Sequence, residues 1–175
     1  MALKFELAGN LQKNMIFLGI GTNLGDKGRN LTDALIRLHQ AGVEVKRCSS
    51  VYETPPWGIE EQDSFYNMVI EVGYTDSPQA LLEICLSTET EMGRERTVKW
   101  GPRLIDIDIL EFHRKIILSD SLTLPHPYYT QRGFVLIPLA ELEPNWRPTT
   151  LFRGIKEIIE VYDFNPLPRI GRIDL

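Results

Sequence analysis

The segment Leu104–Leu110, LIDIDIL, constrains the fold more than any other part of the sequence. Its isoleucines share one phase of a two-residue period, and Asp106 and Asp108 occupy the other phase together with Leu104 and Leu110. Because side chains on a β-strand alternate between faces, the isoleucines are predicted to enter a core while both carboxylates point the opposite way. The pattern therefore predicts a strand that is buried on one face and carries two acids on the other.

Two carboxylates at this spacing predict a metal site. They lie roughly 6.6 Å apart along a strand, and oxygen ligands suit Mg²⁺. The alternative is the solvated face of an amphipathic edge strand, although aspartate is depleted in strands. The upstream segment Gly93–Arg103 adds the cationic side chains Arg94, Arg96, Lys99 and Arg103. Cations beside a carboxylate pair favour a metal-bound polyphosphate.

Composition narrows the classes of function. The chain has 175 residues and a net charge of -5, so we expect one domain, 15–175, and no binding of nucleic acid. Cys48 and Cys85 lack the spacing of a zinc site or a disulfide framework, and no apolar run approaches the ~20 residues of a membrane span. We expect a cytoplasmic protein with no membrane partner and no obligate protein partner. Residues 1–14 lack the pattern of a secretory signal, and we expect an N-terminal extension there.

Hydrophobic periodicity predicts an α+β fold. The main strands are expected at Met15–Ile20, Val43–Tyr52, Phe65–Tyr74 and Leu104–Leu110. Amphipathic helices are expected between the first two and the last two strands, each ended by a glycine in the left-handed cap conformation, Gly42 and Gly93. The order β-α-β-β-α-β is typical of a ferredoxin-like sandwich with an antiparallel sheet and helices on one face.

C-terminal additions are expected after this unit. A short strand is predicted within 115–118, a helix over Gly133–Leu142, and a tail helix within 151–161. The face of the sheet opposite the two main helices is then expected to line a substrate cleft.

The glycines after the first strand have two interpretations. Gly19 and Gly21 begin a dinucleotide-binding pattern, but Leu24 occupies its third glycine position. We therefore interpret residues 21–30, GTNLGDKGRN, as a turn that needs positive φ at glycine.

Two loops are stiff enough to present recognition groups. The di-proline segment that ends in Trp57 cannot form regular structure, and His126 lies between two prolines. A plain connection and a structural histidine are the alternatives at these two places.

The motifs together resemble the 6-hydroxymethyl-7,8-dihydropterin pyrophosphokinase family. The resemblance covers about residues 15–144 and rests on these segments in order: GTNLG (21–25), SSVYETPPWG (49–58), FYN (65–67), GRER (93–96), WGPRLIDIDIL (100–110), LPHP (124–127) and RGFVLIPL (132–139). It implies an ATP-dependent diphosphokinase that transfers the β,γ-diphosphate of ATP to the hydroxymethyl group of the pterin, releases AMP and serves folate biosynthesis. It also implies two Mg²⁺ ions.

The resemblance implies a role for particular residues. The metal ligands would be Asp106 and Asp108, and the catalytic arginines Arg94, Arg96 and Arg103. ATP would contact Glu89, Trp100, Ile109, Thr123, His126 and Arg132. The pterin would contact Thr54, Pro55, Trp57, Phe65, Asn67 and Phe134.

The chain departs from the family pattern at three positions. Phe65 stands where tyrosine is frequent, Pro127 follows the histidine, and Ser121 stands where some members have an arginine. Two other functions remain as alternatives: a non-catalytic ferredoxin-like module that binds nucleotide or metal, and a Mg²⁺-dependent phosphohydrolase.

Overall fold

The computed structural model describes residues 14–56, 62–93, 102–162, 164 and 167–173. The strands are β1 (Ile16–Thr22), β2 (Glu44–Cys48), β3 (Val51–Thr54), β4 (Phe65–Gly73), β5 (Asp106–Phe112), β6 (Ile117–Leu118), β7 (Thr123–Leu124) and β8 (Arg169–Gly171). The helices are α1 (Lys27–Gln40), α2 (Pro78–Glu91), α3 (Gly133–Leu142) and α4 (Ile155–Tyr162), with a short 3-10 helix at Tyr129–Gln131. None of the described helices is long and apolar enough to cross a membrane.

The main sheet is built around β1, which pairs antiparallel with β4 on one side and β5 on the other. The strand order is β5-β1-β4-β3-β8, and β2 also pairs with β4. All of these pairings are antiparallel. β2 and β3 pair with successive parts of the same edge of β4 and together take the place of one strand. The arrangement therefore confirms the predicted ferredoxin-like α+β sandwich.

The two main helices begin and end where local chemistry favours it. Asp26 accepts a hydrogen bond from the backbone N–H of Arg29 at the start of α1, and Ser77 accepts one from Ala80 at the start of α2. These side chains satisfy N–H groups that lack a partner within the helix. Gly42 and Gly93, with φ of +88° and +86°, have the predicted left-handed conformation.

Two hydrophobic cores lie on opposite faces of the sheet. Alternate residues of β1, including Leu18 and Ile20, pack with α1, α2 and the isoleucines of β5 in the first core. Phe17 points the other way into a second core with α3 and α4, where it contacts Trp146 edge-on at 5.1 Å between ring centroids. The C-terminal additions therefore cover part of the face opposite α1 and α2 and leave a cavity beside them.

The single strand predicted over Val43–Tyr52 is wrong, because the strand is interrupted after Cys48. The backbone N–H of Ser49 donates to Val69 O at 2.9 Å, and its hydroxyl accepts from Val69 N at 3.0 Å. The backbone N–H and the hydroxyl of Ser50 both donate to the Glu141 carboxylate at 2.9 Å. Ser50 thus bonds to α3 instead of a neighbouring strand, and β3 begins one residue later.

The C-terminal region contains strands that the sequence analysis did not assign. β7 pairs with β6 in a separate two-stranded sheet. β8 extends the main sheet at the edge of β3, with Gly171 opposite Val51 and Arg169 opposite Tyr52. The predicted tail helix is α4, which buries Ile155 and Ile158.

The second core should contribute substantially to stability. Replacing Trp146, which is fully buried, by alanine is expected to lower the free energy of unfolding by about 3–5 kcal/mol, because a large cavity remains. Phe152→Ala is the control, since that side chain is fully exposed and its loss should change stability by less than about 0.5 kcal/mol. Urea denaturation measures both, and equal effects would contradict the described packing.

Candidate active site

Two glycines of β1 form the floor of a cavity on the face opposite α1 and α2. Gly21 lies opposite Asn67 of β4 and Asp106 of β5, and Gly19 lies opposite Asp108. A Cβ atom on Gly21 would lie 2.6 Å from Asn67 Oδ1. A side chain on this central strand would therefore push into the residues on either side, and the glycines keep the floor open.

The carboxylates of β5 line this cavity, each with an arginine beside it. Arg103 donates from Nη1 to Asp106 Oδ2 in a tight ion pair. Arg132 Nη1 lies 3.9 Å from Asp108 Oδ2. Positive and negative side chains thus alternate along one wall, where an anion and a cation can bind together.

The environment of Asp108 disfavours its charge. Burial in the cavity wall and the neighbouring Asp106 carboxylate raise the pKa of Asp108 to about 7, although Arg132 acts in the opposite direction. The side chain is 40% exposed, so a ligand can reach a carboxylate that is poorly solvated. A cation bound there would favour the ionised form. In the described part of the chain, no group of three or more acidic, histidine or cysteine side chains has the arrangement of a metal site.

His126 is a neutral hydrogen-bond donor at this wall. Burial and the nearby Arg132 guanidinium lower the pKa of His126 to about 4. Its Nδ1 accepts from the backbone N–H of Tyr128 at 3.2 Å, which leaves the proton of the neutral ring on Nε2. Nε2 lies 3.8 Å from Asp108 Oδ2. The ring can therefore donate to an anion without itself being charged.

The backbone of Arg103 is fixed by a buried asparagine in the GTNLG segment. Asn23 Oδ1 accepts from Arg103 N at 2.8 Å, and Asn23 N donates to Arg103 O at 3.2 Å. Its Nδ2 donates to Gln62 Oε1 and to Asp63 O at 3.1 and 3.2 Å. Asn23 therefore joins the segments that precede β4 and β5 and sets the point from which the Arg103 side chain extends.

The loop that carries His126 and Arg132 is held by a buried carboxylate. Glu111 accepts from the Tyr129 hydroxyl at 2.6 Å and from both the backbone and the hydroxyl of Thr149, at 3.0 and 2.7 Å. Burial and the Glu111 carboxylate raise the pKa of Tyr129, so it stays a hydroxyl donor. Tyr129 lies between the two cavity residues in sequence, and this network positions both.

The opposite wall is aromatic and amide-bearing. Phe65 of β4 and Phe134 of α3 both line the cavity, together with Pro55. Asn67 Nδ2 donates to Thr54 Oγ1 at 2.7 Å, which fixes the orientation of the amide. Since β5 and β4 are separated by β1, the carboxylates lie roughly 10 Å from Phe65 and Asn67. The cavity can thus hold an anion beside a flat, polar ring.

The structure brings most of the predicted site residues together. The cavity has a volume of about 270 Å³, near the lower end of ligand pockets. Ten predicted residues line it: Thr54, Pro55, Phe65, Asn67, Arg103, Asp106, Asp108, His126, Arg132 and Phe134.

Three predicted nucleotide contacts lie elsewhere. Glu89 is buried behind β5, where its Oε1 accepts from the backbone N–H of Ile107 at 2.7 Å. Ile109 packs in the first core, and Thr123 is in β7. Their contact with nucleotide stays a prediction. Four other predicted residues fall outside the described part of the chain: Trp57, Arg94, Arg96 and Trp100.

The roles of Asn23 and of the glycine pair Gly19 and Gly21 were not predicted from the sequence. Gly19 and Gly21 lie within β1 and do not have positive φ, so the interpretation of Gly21 as a turn glycine is wrong; Gly25, with φ of +62°, is the turn residue. The signal was available, because two glycines in alternate positions of an apolar strand indicate close approach on one face. Apart from its place in the GTNLG motif, no feature of the sequence indicated a role for Asn23.

A family model described as 7,8-dihydro-6-hydroxymethylpterin-pyrophosphokinase matches residues 17–144. Two relatives named 2-amino-4-hydroxy-6-hydroxymethyldihydropteridine pyrophosphokinase align over 130 residues, 74% of this chain. The Methylorubrum extorquens protein is 43% identical with 82% of its length covered, and the Bacillus subtilis protein is 45% identical with 78% covered.

A solved structure supports the fold. The Plasmodium falciparum HPPK-DHPS with pteroate has a TM-score of 0.69 at 16% identity over 85% of this chain, which spans only 44% of that chain. The sequence matches extend over most of the residues that form the sheet and the cavity. The chain therefore belongs to the 7,8-dihydro-6-hydroxymethylpterin-pyrophosphokinase family.

Proposed function

We propose that this protein transfers the β,γ-diphosphate of ATP to the hydroxymethyl group of 6-hydroxymethyl-7,8-dihydropterin, a step of folate biosynthesis. The observation that carries the proposal is one cavity in which a carboxylate–arginine wall faces an aromatic and amide wall. The names of the relatives support the same reaction.

The pterin would bind at the aromatic and amide wall. A flat bicyclic ring can stack on Phe65 and Phe134, and Asn67, fixed by Thr54, can hydrogen-bond to the polar edge of the ring. The replacement of the family's frequent tyrosine by Phe65 retains the aromatic face.

The triphosphate of ATP would bind at the other wall. Arg103 and Arg132 offer guanidinium groups that pair with phosphate oxygens, and neutral His126 donates from Nε2. These donors lie on two segments, one held by Asn23 and the other by Glu111, so the donors are oriented before the charge of the transition state develops.

Asp106 and Asp108 fit Mg²⁺, because hard carboxylate oxygens are the donors it prefers. Their carboxylates would hold Mg²⁺ beside the phosphate oxygens of ATP. Bound Mg²⁺ would neutralise phosphate charge and polarise the phosphorus under attack. We propose two Mg²⁺ ions, the number that the family resemblance implies.

The transfer moves a diphosphate as a unit. The hydroxymethyl oxygen forms a bond to the β-phosphorus, the bond from that phosphorus to the α,β-bridging oxygen breaks, and the hydroxyl proton is released. Arg103 and Arg132 would stabilise the charge that develops on AMP and on the transferred group. The walls hold the two substrates side by side, which lowers the entropic part of the barrier.

The alternative functions account for less of the cavity. A phosphohydrolase would use the carboxylates and arginines but has no need of Phe65, Asn67 and Phe134. A binding module without catalysis would not need donors oriented toward a transferred group. The discriminating assay measures AMP from Mg²⁺ and ATP, with and without the pterin. Pterin-dependent AMP is expected; inorganic phosphate formed without pterin would favour hydrolysis, and no turnover would favour the binding module.

Asp108→Asn is expected to slow turnover by raising the activation barrier by several kcal/mol, because the variant loses a ligand of the metal that stabilises charge at the phosphates. Steady-state kinetics at saturating Mg²⁺ measures this loss. Pterin affinity should change little. Asp76→Asn is the matched control, since Asp76 is exposed and lies before α2. Near-normal turnover of Asp108→Asn would contradict its role as a metal ligand.

The same variant should not be less stable without ligands. The pKa of Asp108 is raised to about 7 in the folded chain from an unfolded value near 3.9, so stability is lost as the pH rises from about 4 to about 7, and the full cost of the ionised carboxylate is present above pH 7. The neutral asparagine removes that cost. Thermal denaturation at pH 8 should give a higher Tm for Asp108→Asn than for the wild type, and a lower Tm at pH 8 would contradict the raised pKa.

Metal affinity should depend on pH through Asp108. A proton and a metal ion compete for the carboxylate. Below its pKa of about 7, each decrease of one pH unit should therefore lower the apparent metal affinity by up to about tenfold. Above that pKa the affinity should level off. Electron paramagnetic resonance of Mn²⁺ between pH 6 and 8.5 measures this dependence. A wild-type profile parallel to that of Asp108→Asn would remove Asp108 from the binding equilibrium.

Phe134→Ala is expected to weaken pterin binding by roughly 1–3 kcal/mol, the range for stacking of a nucleic-acid base on an aromatic side chain. The affinity for Mg²⁺–ATP should be nearly unchanged, since the triphosphate would bind at the other wall. Separate isothermal titrations with each ligand decide the point. Equal losses for both ligands would mean that Phe134 serves only the packing of α3.

A further inference from the structure

The C-terminal strap, defined here as Phe164 together with residues 167–173, lies outside the region 17–144 that matches the family. It nevertheless contacts the elements that form the pterin wall of the cavity. One contact is with the start of α3, the second with β3, and the third with the end of α3.

The first contact places Phe164 against the start of α3. A Cβ atom on Gly133 would lie 2.8 Å from Phe164 Cδ1, so the ring occupies the space that a side chain at Gly133 would need. Gly133 stands between Arg132 and Phe134, both of which line the cavity. Phe164 also stacks on Tyr162 of α4, with ring centroids 5.6 Å apart. The ring therefore packs between Tyr162 of α4 and the first turn of α3.

The second contact pairs the strap with β3. Pro168 O accepts from the backbone N–H of Glu53 at 2.8 Å, and Arg169 lies opposite Tyr52 in the ladder with β8. Glu53 directly precedes Thr54 and Pro55, which line the cavity. The strap thus provides hydrogen-bond partners for the edge of β3, directly before the residues of the pterin wall.

The third contact is a carboxylate that joins α3, β3 and the strap. Glu141, in the last turn of α3, accepts from Ser50 and from the Tyr52 hydroxyl at 3.0 Å. It also accepts from Arg169 at 3.3 Å and Arg172 at 2.9 Å. Burial opposes the charge, but the hydrogen bonds from Ser50 and Arg172 hold the pKa of Glu141 below its usual value.

We infer that the strap sets the spacing between α3 and β3 and so determines how well the cavity accepts the pterin, with Phe164 and Glu141 as positioning residues. The inference rests on the proposed pterin site. Phe134 extends from α3, whereas Thr54 and Asn67 belong to the sheet. A flat ring between them requires a fixed gap, and the strap contacts α3 at both of its ends. The described hydrogen bonds of the strap go to Ser50, β3 and α3.

The test compares KM for each substrate in Phe164→Ala and Glu141→Gln. Small displacements of a substrate-positioning group have large kinetic effects, so KM for the pterin should rise about tenfold in each variant. In Glu141→Gln, at the end of α3 that is far from Arg132, the KM for ATP and kcat should stay within about twofold, because only ground-state pterin binding is affected. Phe164→Leu, which retains an apolar side chain, should restore most of the affinity. A general loss of stability would not separate the substrates in this way.

Phe152→Ala is the matched control, because Phe152 is a fully exposed phenylalanine of the same C-terminal region. Assays are run well below the Tm of each variant, and Glu141→Gln carries the test if Phe164→Ala does not fold. Equal rises of KM for both substrates in Glu141→Gln, or a pterin KM in both variants equal to that of Phe152→Ala, would overturn the inference. A wild-type protein without pterin-dependent AMP would instead remove the proposed function and this inference with it.

Discussion

The site depends on the register of β1 between β4 and β5. Ile16, Leu18 and Ile20 are buried in one core and Phe17 in the other, so the strand cannot slip without exposing both sets. Because side chains alternate, a slip by one residue would turn Ile20 into the cavity and Gly21 into the core. The same pairings place Asp106 and Asn67 on opposite sides of Gly21. Hydrophobic packing that fixes one strand thereby fixes the distance between the two walls.

Buried polar side chains then connect the loops to this frame. Asn23 fixes the backbone of Arg103, Glu111 fixes the loop of His126 and Arg132, and Glu141 fixes α3 against β3. A buried polar group destabilises the fold unless its hydrogen bonds are satisfied, and each of these side chains has several partners. The segments that carry the charged and aromatic groups of the cavity are thus held by interactions outside it.

Local patterns in the sequence predicted the parts of the fold that local chemistry determines. The two-residue period placed Asp106 and Asp108 on the cavity face, and the caps at Ser77 and Gly93 gave the limits of α2. Features that depend on distant partners were not predictable. The break after Cys48 depends on Glu141, some 90 residues further along the chain, and β8 pairs with a strand more than 100 residues earlier. The family motifs predicted most of the cavity residues, but no local signal indicated that Asn23 holds Arg103.

The central claim is that the open face of the sheet beside Gly19 and Gly21 is where metal, nucleotide and pterin meet. Crystals grown with Mn²⁺, a non-hydrolysable ATP analogue and the pterin test it by anomalous diffraction. The account predicts an anomalous peak about 2 Å from carboxylate oxygens of Asp106 and Asp108, with phosphate oxygens on the same ion and the pterin ring against Phe134. A manganese peak elsewhere, with no metal at these two aspartates, would contradict it.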